Sequence, residues 1–276
     1  MIYDSCNFAT ENFRIQSRST KNYNMPNHHF HDSYELYYMN SGTRLYFIND
    51  KTYQVPQGSL VHIDRHLLHK TIDTGQEHSR ILMSFHRNFL NFEGCDEFLD
   101  SVFKKHPITS FNVSAQHRVE ELLNRMIYEV NAMNPHYMVS IRAYLIELLL
   151  LTSRYIQLEG EQPLCHSKTE EKVQEILSYL QKNYPAPITL DLLSEKFFMS
   201  RYYISRLFKK ETGFTIIEYL HSIRVLQAQK LLRETNTKII HIAELTGFSN
   251  VSNFGKVFRS ITGQTPMEYR KKSKLQ

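Results

Sequence analysis

Histidine and acidic side chains recur near residue 30 at spacings that suit metal or ligand binding. His29 and His31 are two positions apart, and Glu35 follows four positions later. Side chains at two-residue spacing lie on the same face of a β-strand, and imidazole and carboxylate groups both bind divalent metals. Tyr37 and Tyr46 nearby add aromatic faces, and Arg44 adds hydrogen-bond donors for a polar ligand. This region therefore predicts a small-molecule or metal site.

The C-terminal third carries a different chemistry, with basic and polar side chains at helical spacing. Residues three and four apart share one face of a helix, so the residues between the apolar positions would point outward together. Two such outward sets are Arg201, Tyr202, Ser205, Arg206 and Lys209, and then Val251, Ser252, Gly255, Lys256 and Arg259. Cationic and hydrogen-bonding side chains on an exposed helix face are typical of DNA recognition.

These two sets lie in a repeat. Residues 193–219 and 242–269 align with an offset of 49 before the turn and 50 after it, so that Phe208 pairs with Phe258 and Gly213 with Gly263. A unit this short, present twice, favours two helix-turn-helix motifs over a solenoid, which needs three or more units.

Local start and stop signals define the helices of this repeat. Thr189 and Ser200 are suitable N-caps for the two helices of the first motif, and Gly213 suits its left-handed end. We call the second helix of each motif its reading helix. Ser249 or Asn250 would cap the reading helix of the second motif. In the first motif we expect Leu192 and Leu193 to face the core. A Thr-x-x-Glu capping box follows each copy, and the helix from Ile216 should run to about Leu232.

The N-terminal half has a different pattern of apolar residues and turn signals. Short runs rich in aromatic and β-branched residues alternate with turn signals up to about residue 92, which favours a sandwich or barrel. From about residue 114 to 158 two apolar stripes flank Asn134-Pro135 and predict a helical hairpin, which either packs on the barrel or forms a dimer.

These patterns predict three segments. Residues 1–158 would form the first domain, with the barrel at about 1–110 and the hairpin at about 114–158. Residues 159–168 would be a linker. Residues 169–276 would form the second domain, with helix-turn-helix motifs at about 189–211 and 238–262.

Composition narrows the class of protein. The formal net charge is +5, but residues 169–276 hold 17 Lys and Arg against 10 acidic residues, whereas residues 1–168 hold 16 against 18. A basic C-terminal part suits a polyanionic partner. The three cysteines show no CxxC spacing, which favours a reducing compartment, and no apolar run approaches the length of a membrane span. We expect a cytoplasmic protein without a membrane partner.

Residues 169–272 resemble the DNA-binding domain of the AraC/XylS family of bacterial transcription regulators. The second copy carries most of that resemblance, in Ile242-Ala243, Gly247-Phe248, Gly263, Pro266 and Tyr269-Arg270. The resemblance implies base-facing positions for Tyr202, Ser205 and Arg206 in the first copy and for Val251, Ser252 and Lys256 in the second. Phosphate contacts are expected at Lys209, Lys210 and Arg259. In the first copy Phe198 replaces the usual turn glycine.

The histidine segment resembles the first cupin motif, since His29, His31, Glu35 and Gly42 follow the pattern HxHx3Ex6G. In metal-binding cupins a later histidine completes the ligand set, and His69 is the best candidate here, although the second motif is not matched. AraC-family sensor domains resemble cupins and often keep these residues without a metal. We therefore expect a small-molecule site formed by His29, His31, Glu35, Tyr37, Arg44, Tyr46 and His69, without a metal or other cofactor.

Taken together, the sequence predicts an α+β protein of two domains: an N-terminal cupin-like β-barrel with a helical hairpin, and an all-α C-terminal domain with a double helix-turn-helix. The expected function is an effector-responsive transcription activator rather than an enzyme. Its expected partners are double-stranded DNA, a small-molecule effector such as a sugar, RNA polymerase and a second copy of the chain. The alternatives are a metal-dependent cupin enzyme fused to a DNA-binding domain, and an effector-independent repressor or architectural protein.

Overall fold

The computed structural model describes residues 6–20, 32–159 and 171–274. In its N-terminal part the described residues form nine strands in two sheets. A six-stranded sheet has the order β1-β2-β8-β3-β6-β9, and a three-stranded sheet has the order β5-β4-β7. The strands are β1 (Asn7–Ala9), β2 (Phe13–Thr20), β3 (Tyr34–Ser41), β4 (Thr43–Ile48), β5 (Lys51–Pro56), β6 (Ser59–Ile63), β7 (His69–Ile72), β8 (His78–Phe85) and β9 (Ile108–Ser110).

The two faces of the large sheet pack against different partners. Along β3, the side chains of Leu36 and Tyr38 belong to a core shared with helices, whereas Tyr37 and Met39 face the small sheet. This division follows from the two-residue period of a strand. The helices on the outer face are α1 (Cys95–Phe103), α2 (Val113–Ala132) and α3 (Tyr137–Glu159).

The predicted helical hairpin is present as α2 and α3. Its apolar stripes are buried, including Leu123 and Met126 on α2 and Leu145 and Leu148 on α3, and they pack on the large sheet. The hairpin therefore covers the sheet, which is one of the two expected roles. Of the predicted linker, only Glu159 lies in the described residues, and it ends α3.

The C-terminal domain is entirely helical over its described residues. Its apolar core joins both repeat copies and includes Phe208, Phe254 and Phe258. The helices are α4 (Glu171–Asn183), α5 (Leu190–Phe197), α6 (Arg201–Thr212), α7 (Ile216–Glu234), α8 (Ile239–Leu245), α9 (Val251–Thr262) and α10 (Pro266–Ser273). The two-domain α+β fold expected from the sequence is thus confirmed.

Side-chain caps fix the helix ends as predicted. Thr189, Ser200 and Asn250 accept hydrogen bonds from backbone N–H groups in the first turns of α5, α6 and α9. Full capping boxes start α7 and α10 at Thr215 and Thr265. These caps satisfy backbone groups that a helix terminus leaves without partners.

Three details differ from the expectations. Leu193 is fully buried, but Leu192 is 39% exposed, because only one of two adjacent residues on the short α5 can face the core. The long helix α7 extends two residues past Leu232, to Glu234. The sequence pattern does not predict the helix α1.

None of the described helices combines the length and the hydrophobicity needed to cross a bilayer.

Candidate nucleic-acid interface and effector site

The first reading helix is α6, and its polar face is open. Ile204, Leu207 and Phe208 bury one side of the helix against the domain core. The side chain of Tyr202 is 74% exposed on the opposite side. The predicted set lies on this side, with Ser205 half-buried and the remainder exposed: Arg201, Tyr202, Ser205, Arg206, Lys209 and Lys210.

Two residues of this face are held by ion pairs. Arg201 pairs with Asp191 on α5, and the ammonium of Lys210 lies 3.3 Å from the carboxylate of Glu211. Both pairs involve exposed cations, and such pairs contribute little to stability. Arg206 and Lys209 remain available on the same exposed side.

The second reading helix, α9, repeats this arrangement. Phe254 and Phe258 are fully buried, whereas Val251 is 38% exposed. Gly255 leaves a position without a side chain in the middle of the outer face, and nothing lies within 4 Å of where a Cβ would be. Gly255 itself is half-buried, and the other predicted outward residues are all exposed: Val251, Ser252, Lys256 and Arg259.

The turns before the two reading helices differ. Phe198 has a positive φ of 55° and its side chain is 94% exposed. Gly247 takes the same place in the second motif with φ of 84°, and a Cβ there would lie 2.6 Å from the carbonyl oxygen of Pro185. The second turn therefore requires glycine, whereas the first tolerates phenylalanine at the cost of a strained backbone.

The helix α7 connects the two motifs. Its 19 residues give a length of about 28 Å. A rigid spacer of this size is comparable with one turn of B-DNA, about 34 Å, so it can present two helices to successive major grooves.

A polar cluster lies between the two sheets of the N-terminal domain. Glu35, on β3, accepts a hydrogen bond from the Tyr46 hydroxyl at 2.9 Å. The Nε2 atom of His69 lies 3.7 Å from the same carboxylate, and the ring of Tyr37 meets that of Tyr46 edge-on at 5.3 Å. The structure thus brings together four of the predicted ligand-binding residues.

Arg44 is the fifth, and it lies in the same interior with 1% of its surface exposed. Its guanidinium donates to the Nε2 atom of His78 at 2.6 Å and to the hydroxyl of Thr71 at 3.2 Å. Burial and the adjacent guanidinium lower the pKa of His78 below its ordinary value, so this ring is neutral near pH 7 and accepts the hydrogen bond.

A second guanidinium approaches the same group. Arg80 is 4% exposed, and its guanidinium carbon lies 5.6 Å from the centre of the Tyr37 ring. Burial raises the pKa of Tyr37 to about 12, so its hydroxyl stays protonated. That hydroxyl is buried and has no hydrogen-bond partner among the described residues, which suits a site that receives a polar ligand.

Sequence reasoning missed Thr71, His78 and Arg80 as members of this cluster. Their signal was the two-residue period: His78 and Arg80 alternate along β8 with the buried apolar residues Ile81 and Met83, which face the helices. The pairing of β7 with β4, which places Thr71 opposite Tyr46, could not be read from a local pattern.

The structure describes only two of the four candidate metal ligands. Glu35 and His69 are close together, but His29 and His31 lie outside the described residues. Among the residues that are described, no group of three or more His, Cys, Asp or Glu could hold a metal ion. The predicted ligand role of His29 and His31 stays a prediction.

Comparison with known proteins gives family matches to both parts of the chain. A family model described as an AraC-like ligand binding domain matches residues 12–149. A model described as a helix-turn-helix domain matches residues 193–272.

Curated relatives match over most of the chain. The HTH-type transcriptional activator RhaS of Escherichia fergusonii is 25% identical over 252 residues, covering 89% of this chain and 87% of the relative. The protein of the same name from Salmonella paratyphi A is 24% identical with the same coverage.

Solved structures also match, with low TM-scores. ToxT of Vibrio cholerae is 16% identical, with a TM-score of 0.41 and coverage of 95% of this chain and 98% of that one. The C-terminal domain of AraT from Geobacillus stearothermophilus is 32% identical, with a TM-score of 0.38 and coverage of 38% of this chain and 88% of that one. TM-scores below 0.5 do not establish a shared overall arrangement.

Proposed function

This chain belongs to the AraC family of transcription regulators, and we propose that it is a cytoplasmic activator that responds to a small-molecule effector. The observation that carries the proposal is the pair of capped reading helices, α6 and α9, whose polar faces are both exposed while their apolar faces share one core. The relatives named above are described as transcriptional activators, which supports activation over repression.

DNA recognition would divide between base and phosphate contacts. Arg206 can donate two hydrogen bonds to the O6 and N7 atoms of guanine, and Val251 can contact the methyl group of thymine. Lys209, Lys210 and Arg259 would contact phosphate groups, which position the protein without specifying a sequence. The exposure of all five side chains supports these roles.

The effector would bind between the two sheets of the N-terminal domain. The interior presents the guanidinium groups of Arg44 and Arg80, the hydroxyls of Tyr37 and Tyr46, and the carboxylate of Glu35. Donors, acceptors and aromatic faces in one buried region suit a polar molecule with several hydroxyl groups, and a sugar is the leading class.

A second copy of the chain and RNA polymerase complete the proposed set of partners. A groove of about 350 Å³ lies along the outer side of the helical hairpin, lined by apolar residues such as Leu150, Leu151 and Leu158 together with Arg118 and Arg154. An apolar groove with charged edges supports pairing of two hairpins in a homodimer. Effector binding would then change the arrangement of the domains, provided that the effector prefers one arrangement over the other.

Mapping of the DNA that the protein binds across its source genome tests the proposal as a whole. We expect discrete sites upstream of a small number of genes, and we expect transcription from those promoters to rise when the correct effector is supplied to a reporter strain. Uniform binding without sequence preference would contradict specific regulation, and lower transcription in the presence of the protein would contradict activation.

The proposal includes no catalytic step. Metal analysis of the purified protein checks this point against the enzyme alternative. We expect no stoichiometric metal, and one equivalent of tightly held iron, manganese or zinc would favour a cupin enzyme instead.

A further inference from the structure

The small sheet β5-β4-β7 has two faces with different partners. Along β4 the side chains of Arg44 and Tyr46 face the polar interior. The side chain of Phe47, the residue after Tyr46, faces the C-terminal domain. Along β7 Thr71 bonds to Arg44 on the inner face, and Lys70 faces outward. A single layer of β-sheet therefore separates the candidate effector site from the DNA-binding domain.

The outer face packs on the first helix-turn-helix motif. The ring of Phe47 is fully buried and meets the rings of Phe214 and Tyr219 edge-on, at 5.5 and 6.1 Å between centroids. The ammonium of Lys70 lies 4.8 Å from the centre of the Phe214 ring. Leu68 joins the same apolar core, so this core is continuous across the two domains.

Hydrogen bonds from the β4–β5 turn fix this contact. The carboxylate of Asp50 accepts hydrogen bonds from the hydroxyl of Tyr219 on α7 and from the side-chain amide of Gln181 on α4. The backbone carbonyl of Asp50 accepts another from Gln174 at 3.0 Å. Burial and the Asp50 carboxylate raise the pKa of Tyr219 far above its ordinary value, so its hydroxyl remains a donor.

A further bond reaches the end of the reading helix itself. The hydroxyl of Thr52 on β5 donates to the backbone carbonyl of Glu211 at 2.7 Å. Glu211 lies in the last turn of α6, where carbonyl groups have no partner within the helix. The sensor domain thus supplies a hydrogen bond that helps to end the first reading helix.

The repeat shows that this contact is particular to the first motif. Tyr219 and Tyr269 are equivalent, but the hydroxyl of Tyr269 accepts a hydrogen bond from Arg233 within its own domain, at 2.8 Å. Phe214 corresponds to the polar Gln264. The equivalent tyrosine therefore bonds to the sensor domain in the first copy and within the C-terminal domain in the second.

We propose that the outer face of the small sheet is an intramolecular docking surface for the first helix-turn-helix motif, and that occupancy of the interior is transmitted to DNA binding through this contact. The polar face of α6 stays exposed in the docked state, so docking orients the motif and does not cover it. The docking contact depends only on the geometry. The transmission of occupancy to DNA binding rests on the effector-responsive function proposed above.

A double-mutant cycle tests the contact. Asp50→Gly removes the carboxylate, and it preserves the turn because Asn49 and Asp50 both have positive φ, as a type I′ turn requires. Asp50→Gly and Tyr219→Phe should each lower the melting temperature by about 3–8 °C, and together by little more than either alone. The matched cycle of Asp50→Gly with Tyr269→Phe should be additive. Additive losses in both cycles would overturn the docking contact.

A second cycle tests the transmission, with a DNA duplex selected from a random library by the unmodified chain. Tyr46→Phe removes the inner-face hydrogen bond to Glu35, one residue before Phe47. It should change the dissociation constant for this duplex by about three- to tenfold, and by less than about twofold when Asp50→Gly is also present. No effect, or an equal effect in both backgrounds, would overturn the proposal. Failure of the unmodified chain to select any duplex would instead contradict the DNA-binding function.

Discussion

The two helix-turn-helix motifs share their local chemistry and differ in their neighbours. Each reading helix has a side-chain cap at its start and a left-handed glycine at its end, and each is followed by a capping box. The first motif is anchored at its C-terminal end, where Phe214 meets Phe47 of the sensor domain. The second is anchored at its turn, where Gly247 lies against the backbone of Pro185.

This difference shows which features of a duplicated unit are set locally. The caps and end glycines of the reading helices depend on neighbours in the sequence, so both copies retain them. The surfaces that meet other elements are determined by the place of each copy in the fold. Both copies contribute to the core of the C-terminal domain, and the first copy also forms the contact with the sensor domain.

The turn position should give the largest contrast between the motifs. Gly247→Ala forces a Cβ to 2.6 Å from a backbone oxygen at positive φ, and should lower the free energy of unfolding by about 3 kcal/mol. Phe198→Gly at the equivalent position relieves a positive φ without loss of buried surface, and should raise the free energy of unfolding by about 0.5–1 kcal/mol. Urea denaturation of both variants measures these values, and changes of the same sign would contradict the contrast.

The reading helices should differ in the specificity that they provide. Arg206→Ala should reduce discrimination at one base pair by about 1–3 kcal/mol, whereas Lys209→Ala should weaken binding to all duplexes about equally. Because Gly255 leaves α9 with a bare position, Lys256→Ala should cost less specificity than Arg206→Ala. Competition binding with single-base variants of the selected duplex separates these effects, and equal losses on every duplex would contradict a base contact by Arg206.

The glycines that end the reading helices allow a smaller comparison. Gly213→Ala and Gly263→Ala both introduce a left-handed alanine, which costs about 1–2 kcal/mol. A Cβ at Gly213 also meets Ile72 of the sensor domain at 3.1 Å, whereas that at Gly263 meets open space. The loss of melting temperature should therefore be larger for Gly213→Ala. A larger loss for Gly263→Ala would argue against close contact between the first motif and the small sheet.

The capping boxes should show no contrast. Thr215→Ala and Thr265→Ala each remove one side-chain bond to the backbone of the third helical residue, and each should cost about 1 kcal/mol. Parallel thermal denaturation of the two variants checks this equality. A difference of more than about twofold would show that the cap itself responds to the domain interface.

Much of the fold could be predicted from the sequence because its signals are local. Thr189, Ser200 and Gly213 mark helix ends by their own chemistry, and the turn at Asn49-Asp50 follows from residues that adopt positive φ. Strands and helices were recognisable from the period of their apolar residues. The exposure of the predicted DNA-facing side chains followed from the same period.

The rest depends on contacts between distant parts of the chain. Nothing near Asp50 in the sequence indicates Tyr219, which is 169 residues away, and nothing near Arg44 indicates His78. The burial of Arg80 beside Tyr37 likewise depends on which strands pair. Sequence periodicity shows that a residue faces inward, but the partner is set by the tertiary fold.

The most direct test of DNA reading by both motifs is a footprint of the selected duplex with three proteins: the unmodified chain, Arg206→Ala and Lys256→Ala. We predict two protected segments on one face of the DNA, about 10 base pairs apart. Arg206→Ala should weaken protection of one segment and Lys256→Ala protection of the other. A single protected segment, or an effect of both variants on the same segment, would contradict the account.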